Sequence, residues 1–132
     1  MIGLNGEIKI ADFGWSVYTP PKNKRKTFCG TLDYLAPEIV NRDEYDNSID
    51  IWCLGVLMYE FLMGSPPFES ESQKITQSLI VKGEFSIPEF LSEEAKDLLT
   101  KFLKNKPKDR IQLKDVVKHP WIVKYAKNCS DF

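Results

Sequence analysis

Hydrophobic and polar positions divide this chain into an alternating start, a polar loop and a helical remainder. Leu4-Asn5-Gly6-Glu7 carries the Asn-Gly signal of a type I′ turn, and Ile8-Lys9-Ile10 alternates as a strand does. Residues 1 to 10 therefore read as a short hairpin. From Thr19 to Lys26 the chain is rich in Pro and Lys with no hydrophobic period, the pattern of a surface loop. Between Ser48 and Leu62, Ile49, Ile51, Trp52, Leu54, Val56, Leu57, Met58, Phe61 and Leu62 fall on nearly every side of a helix that Gly64 can end. A helix apolar all round belongs at the centre of a domain. Pro66-Pro67 breaks the chain, and Ser70 to Val81 reads as a moderately amphipathic helix stopped near Gly83. Ser92-Glu93-Glu94 opens another, with acids in its first turn and Leu98, Leu99, Phe102 and Leu103 at helical spacing. A last helix is expected over Leu113 to His119. No internal repeat, low-complexity tract or domain linker interrupts the pattern.

Composition narrows the class. With 132 residues, 42% of them hydrophobic, the chain has the size of one domain and enough apolar material for a core. Its 18 basic and 19 acidic residues nearly cancel, so no global field favours nucleic acid or an anionic membrane, and any charge recognition must be local. Cys29, Cys53 and Cys129 are odd in number and widely spaced, without Cys-x-x-Cys, which suits a reducing compartment. The start has no basic and apolar leader, position 2 is Ile rather than Gly, and the longest apolar run, Ile51 to Tyr59, is about half a membrane span. The expectation is a soluble intracellular protein with neither a nucleic-acid nor a membrane partner.

Chemistry enters at Asp12-Phe13-Gly14, where the Ile8 strand ends. A carboxylate there can hold a metal that bridges nucleotide phosphates, and the glycine lets the backbone turn sharply. Alone, the tripeptide would suit an ordinary strand-end turn. It gains force from Ala36-Pro37-Glu38, which begins 24 residues downstream of Asp12, where an activation segment ends.

The stretch Lys26-Thr27-Phe28-Cys29-Gly30-Thr31-Leu32-Asp33-Tyr34-Leu35 leading into Ala36-Pro37-Glu38, together with Asp12-Phe13-Gly14-Trp15-Ser16, resembles the Aurora family of Ser/Thr protein kinases. The resemblance continues through Asp50-Ile51-Trp52, Leu54-Gly55-Val56, Tyr59-Glu60-Phe61-Leu62, Pro66-Pro67-Phe68-Glu69, Asn105-Lys106-Pro107 with Arg110, and His119-Pro120-Trp121-Ile122. It implies a mainly α fold, the C-terminal lobe of a kinase domain. Residues 1–11 would be the hairpin, 12–38 the activation segment, 39–122 the helical subdomain and 123–132 a tail.

The same resemblance implies ATP and Mg2+ as cofactors, with Asp12 as the magnesium ligand and Phe13 and Gly14 beside it at the nucleotide site. It makes Thr27 the activation-loop phosphosite. Arg25-Lys26-Thr27-Phe28 fits the Arg-x-Ser/Thr pattern that the family phosphorylates in its protein substrates, so this loop looks like a substrate of its own family. A phosphate on Thr27 would bring about −1.5 to −2 charge among Lys24, Arg25 and Lys26 and order a loop that otherwise repels itself. The plainer reading of that basic run is a solvated surface. Thr31 resembles the residue that braces the catalytic Asp, and Leu32 and Leu35 resemble the wall of the pocket beyond the phosphoacceptor. Glu60 matches the acid that pairs with a substrate arginine; otherwise it merely marks the polar end of an apolar helix. Glu38 and Arg110 match a structural ion pair, and Asp50 an acceptor for the catalytic-loop backbone. Trp52, Trp121 and His119 read as packing residues, and Cys29 as an inert small residue before a redox switch.

In the usual kinase order, the Gly-rich loop, the strand lysine, the helix glutamate and the His-Arg-Asp loop precede the metal-binding Asp. Here Asp12 stands near the first residue, and Met1 occupies the place of an ordinary apolar strand residue, which favours a start set too late. The chain alone is expected neither to bind ATP nor to phosphorylate a peptide. Its central helix should lack part of its cover, giving a sticky subdomain or one rescued by a folding or regulatory partner. The rival reading is a non-catalytic module or decoy that holds substrates or regulators. By resemblance, mitotic spindle or chromosomal locations within the cytoplasm and nucleus follow.

Overall fold

The computed structural model describes residues 1–14, 16–18 and 24–126. Trp15, part of Lys22–Lys26 and Cys129, each used above, lie wholly or partly outside these residues. Among the described residues six α-helices follow in order: α1 (Pro37–Val40), α2 (Ser48–Met63), α3 (Gln73–Lys82), α4 (Glu93–Phe102), α5 (Leu113–Val116) and α6 (Pro120–Ala126). Short 3-10 turns at Leu32–Tyr34 and Pro107–Asp109 flank α1 and α5 on their N-terminal sides. The architecture is mainly α, as the apolar periodicity and the kinase resemblance imply.

Helix α2 is the organising element. Asp46 begins it by accepting the Ser48 amide proton at 2.9 Å, and Gly64, at φ 83°, ends it as its amide donates a hydrogen bond to the Glu60 carbonyl. Only a residue at home in the left-handed region makes that stop without cost. Trp52 and Val56 on α2 are fully buried with Phe68, Ile80, Leu98 and Phe102 in the main core cluster. Trp52 stacks on Phe68 with ring centroids 5.4 Å apart, and Phe85 meets Phe68 edge-on at 5.7 Å. Gly55 lets α4 approach closely, because a Cβ there would sit 2.6 Å from the Phe102 Cβ. Helix α4 starts where its sequence says it should, with the Ser92 hydroxyl accepting the Ala95 amide at 3.2 Å.

Several expectations change in detail. The hairpin reduces to a single antiparallel bridge, Ile2 to Ile8, and its turn is not type I′. The Gly6 amide donates to the Gly3 carbonyl at 3.0 Å and the Gly3 amide to Glu7 at 2.7 Å, with only Gly6 at positive φ, a three-residue loop with a bulge. Ile2, Leu4, Ile8 and Ile10 all face solvent, so nothing lengthens the ladder. Helix α3 begins at Gln73 rather than Ser70, because the Ser70 hydroxyl closes a local turn with Ser72, donating to its carbonyl at 2.9 Å. The last expected helix splits: α5 stops at Val116, and Pro120 opens α6, for which proline at the first position is well suited.

The all-round apolar pattern of α2 also resolves into two faces. Trp52, Gly55, Val56 and Tyr59 are buried, whereas Asp50 and Leu54 are exposed and Phe61 is 79% exposed. Among the described residues no helix is long and apolar enough to cross a membrane.

Helix α6 is tied to α4 through a buried histidine. The Trp121 amide donates to His119 Nδ1 at 3.3 Å, so Nε2 carries the proton and donates to Asp97 Oδ2 at 2.8 Å. Lys101 reaches the same carboxylate at 2.6 Å, and Lys101 first and His119 second hold Asp97 below the usual carboxylate range. A lowered folded pKa means stability present above the unfolded value and lost as pH falls through the folded one. Asp97→Asn should therefore flatten the acid limb of the stability curve below about pH 4, which urea unfolding at stepped pH would read out. An unchanged acid limb would show that the carboxylate contributes nothing to this tie.

Candidate functional site

Residues between Asp12 and Asp50, the last of them on α2, meet around an open groove of about 410 Å³. Asp12, Cys29, Gly30, Ile39, Tyr45 and Asp50 are among its lining residues. Asp12 enters with φ 63°, a left-handed conformation that Asp tolerates better than most residues. Its Oδ1 faces the Gly14 amide at 3.5 Å, and the Ser16 amide closes the turn on the Phe13 carbonyl at 2.9 Å. Asp12 and Gly14 are exposed and Phe13 is 64% exposed, so the tripeptide stands at the surface. Asp50, across the groove, is also exposed, and what burial it has raises its carboxyl above the ordinary value.

Thr31 adjoins the groove through Gly30. It precedes the 3-10 turn, its carbonyl accepts the Tyr34 amide at 3.0 Å, and its exposed hydroxyl caps nothing. Leu32 is partly open, whereas Leu35 is buried with Ile39 and Tyr45 in a cluster beneath the segment. Glu60 lies elsewhere, near the end of α2, where it accepts a hydrogen bond from the Tyr34 hydroxyl. Burial and the Glu60 carboxylate push the Tyr34 phenol up to about 12. Cys53, beside them, donates to the Tyr34 carbonyl at 3.4 Å, and burial lifts its thiol to about 11, which leaves it an inert thiol.

Glu38 and Arg110, 72 positions apart in sequence, meet as a bidentate pair with contacts of 2.7 and 2.6 Å. Both residues are 5% exposed. The guanidinium spends its remaining donors on the carbonyls of Lys104 at 2.9 Å, Ser48 at 3.0 Å and Asn105 at 3.2 Å, and its plane lies 5.1 Å from the Trp52 ring. Helix α1, the start of α2 and the chain before α5 are thus fastened at one point.

Thr27 is exposed between Lys26 and Phe28, and its segment lies against residues 42–45. Sequence reasoning passed over those four residues, and also the Tyr34 contact to Glu60 and the Asp97–His119 tie. Each depends on partners far apart in the chain.

A buried arginine that locks the end of an activation segment to a helical core, with Asp12-Phe13-Gly14 at the rim, defines part of a protein kinase fold. The protein kinase domain family matches residues 1–122, and the chain belongs to that family. Its relatives are Aurora kinases. It is 55% identical to Aurora kinase A-B of Xenopus laevis over 96% of this chain and 31% of that protein. It is 52% identical to Aurora kinase of Saccharomyces cerevisiae over 94% of this chain and 34% of the relative. Aurora kinase C of Mus musculus is 47% identical over 96% of this chain and 46% of its own length. The chain is similar in sequence to these Aurora kinases, and it spans about a third of the length of the curated relatives it matches first.

Protein kinases use ATP and Mg2+. Magnesium prefers a near-octahedral oxygen set of one or two carboxylates completed by phosphates and water, and Asp12 offers one such carboxylate. The described residues contain no cluster of three His, Cys, Asp or Glu side chains that could hold a metal.

Proposed function

We propose that these residues form the activation segment and the substrate-facing helical subdomain of an Aurora-like kinase that transfers phosphate from ATP to Ser/Thr in Arg-x-Ser/Thr sequences. The Glu38–Arg110 lock is the observation that carries this reading. It fixes the residue after Ala36-Pro37 against α2, so the segment bearing Thr27, Thr31 and Leu32 is presented from a rigid base. Glu60, held by Tyr34, supplies the acid for a substrate arginine, and Asp12 supplies one metal ligand.

Phosphoryl transfer depends on positioning the base, the nucleotide lysine and both metal ligands together. These 132 residues contain no His-Arg-Asp tripeptide and no Gly-x-Gly-x-x-Gly loop. The chain tested alone should show no saturable ATP binding by calorimetry and no label transfer to an Arg-x-Ser peptide. Transfer that vanished in Asp12→Ala would overturn that expectation. The substrate reading is tested separately. Titrated with an Arg-containing peptide, the chain should bind more weakly by about tenfold after Glu60→Gln, the loss of one charge-assisted contact. Equal affinities would remove Glu60 from the substrate surface.

A further inference from the structure

Residues 25–28 lie beside residues 42–45, joined through the backbone at one antiparallel bridge, Arg25 to Tyr45. Arg25 and Tyr45 exchange both backbone hydrogen bonds, at 2.9 and 3.0 Å. One step along, Lys26 Nζ meets Glu44 Oε1 at 3.5 Å, and two steps further the Arg42 guanidinium lies over the Phe28 ring at 5.3 Å. The side-chain contacts 26/44 and 28/42 fall where an antiparallel count from the 25/45 bridge puts them, and the same count puts Asp43 opposite Thr27.

The 42–45 edge is anchored from behind. Tyr45 is buried with Leu35 and Ile39, the Asp43 amide donates to the Glu38 carbonyl at 2.8 Å, and the Arg42 amide donates to Ile39 at 3.0 Å. Arg42 keeps a left-handed φ of 61°, a conformation a bulky residue adopts only when its surroundings hold it. The Thr27 side has no such backing. Thr27 is exposed and Phe28 is about half exposed. The asymmetry describes a fixed edge and a strip laid upon it.

We propose that turn 42–45 is a latch that withholds Thr27 from phosphorylation, a regulation that rests on the reading of Thr27 as the phosphosite. A segment whose backbone is bonded to Tyr45 at Arg25, whose Lys26 is engaged by Glu44 and whose Phe28 lies under Arg42 cannot at the same time lie extended in the cleft of a modifying kinase. Opening the latch frees it. The γ-phosphoryl group of ATP then passes to the Thr27 hydroxyl oxygen, its bond to ADP breaks, and the hydroxyl proton goes to the base of the modifying enzyme. Coupling of this kind is reciprocal, so the phosphate opens the latch in turn. It faces Asp43 with about −1.5 to −2 charge and draws Lys26 away from Glu44. Two of the three neighbouring cations are already engaged, since Arg25 donates to the Tyr18 carbonyl at 3.4 Å while Lys26 faces Glu44.

The test is the initial rate of Thr27 phosphorylation by an Arg-directed Ser/Thr kinase, followed by mass spectrometry on the full chain and on the free peptide Lys24–Leu32. Glu44→Lys removes the ion pair, and Arg42→Gly removes the Phe28 contact while relaxing the backbone. Each should raise the rate on the chain roughly two- to fivefold, the range an exposed pair controls. Glu71→Lys, an exposed acid in another part of the chain, should leave it unchanged. After phosphorylation of the wild-type chain, the Arg25 and Tyr45 amides should exchange faster with deuterium. Equal rates for wild type, Glu44→Lys and Arg42→Gly, with the peptide readily modified, would overturn the latch alone. A peptide that takes no phosphate at Thr27 would overturn the phosphosite reading beneath it.

Discussion

Arg110→Ala should lower folding stability by about 3–5 kcal/mol, the usual consequence of leaving one buried partner of an ion pair uncompensated. Small domains have about 5–15 kcal/mol in total, so the variant should lose a large share of its stability, seen as a urea midpoint shifted well below that of the wild type. Charge alone does not explain the size of this effect. Arg110 also holds the carbonyls of Lys104, Ser48 and Asn105, and these lose their donor along with Glu38. Arg110→Lys keeps the charge but not the planar fork, and should recover less than half of the loss. Replacing a buried pair by apolar residues of similar volume is often neutral, which makes Glu38→Leu with Arg110→Met the discriminating variant. Here the three carbonyls predict a residual deficit of several kcal/mol, at about 1–3 kcal/mol per unpartnered group. A double variant as stable as wild type in urea unfolding would show that the lock acts through the Glu38 charge and nothing else.

The elements legible from sequence are those whose signals are local and repeated. Helix α2 has a long apolar run and a glycine stop, and α4 has a serine cap, two acids and a four-residue apolar face; both begin and end within a residue of expectation. The short elements were legible only in outline. The Asn5-Gly6 signal identifies a turn, but the extent of its ladder depends on whether Ile2, Ile8 and Ile10 find something to pack on, and here they face solvent. Pro120 reads as a stop in one direction along the chain and as a start in the other.

The site divides along the same line. Asp12 and Glu38 can be picked out because the spacing of their motifs marks them, and Arg110 because the kinase resemblance does. Residues 42–45 carry no motif, and Arg42 and Glu44 resemble any solvated charges until an antiparallel register sets them opposite Phe28 and Lys26. Asp97 on α4 and His119 just before α6 are similar, ordinary when read singly and paired only by the packing of α6 on α4. Charge pairs of this kind belong to tertiary register, which neither periodicity nor composition encodes.

Trp52→Ala should cost about 3–5 kcal/mol, the range for deleting a large aromatic side chain from a packed core. Trp52 is fully buried, stacks on Phe68 and lies beneath the Arg110 guanidinium, so its loss opens a cavity and removes a cation–π contact together. Trp52→Phe should behave very differently. The indole Nε1 is buried without a hydrogen-bond partner among the described residues, and an unpartnered donor is itself destabilising by about 1–3 kcal/mol. Phenylalanine keeps the stacking on Phe68 while discarding that donor, so the two changes oppose each other and the net cost should stay below about 1.5 kcal/mol. Urea unfolding at constant m-value separates the outcomes. Equal losses for Phe and Ala would mean that the indole N–H is satisfied after all and that the ring's full width is needed. The pairing with Arg110 can be measured in the same way. Because the two side chains touch, Trp52→Phe and Arg110→Lys should not add, and a coupling of about 0.5–3 kcal/mol would show that core packing and the activation-segment lock form one unit.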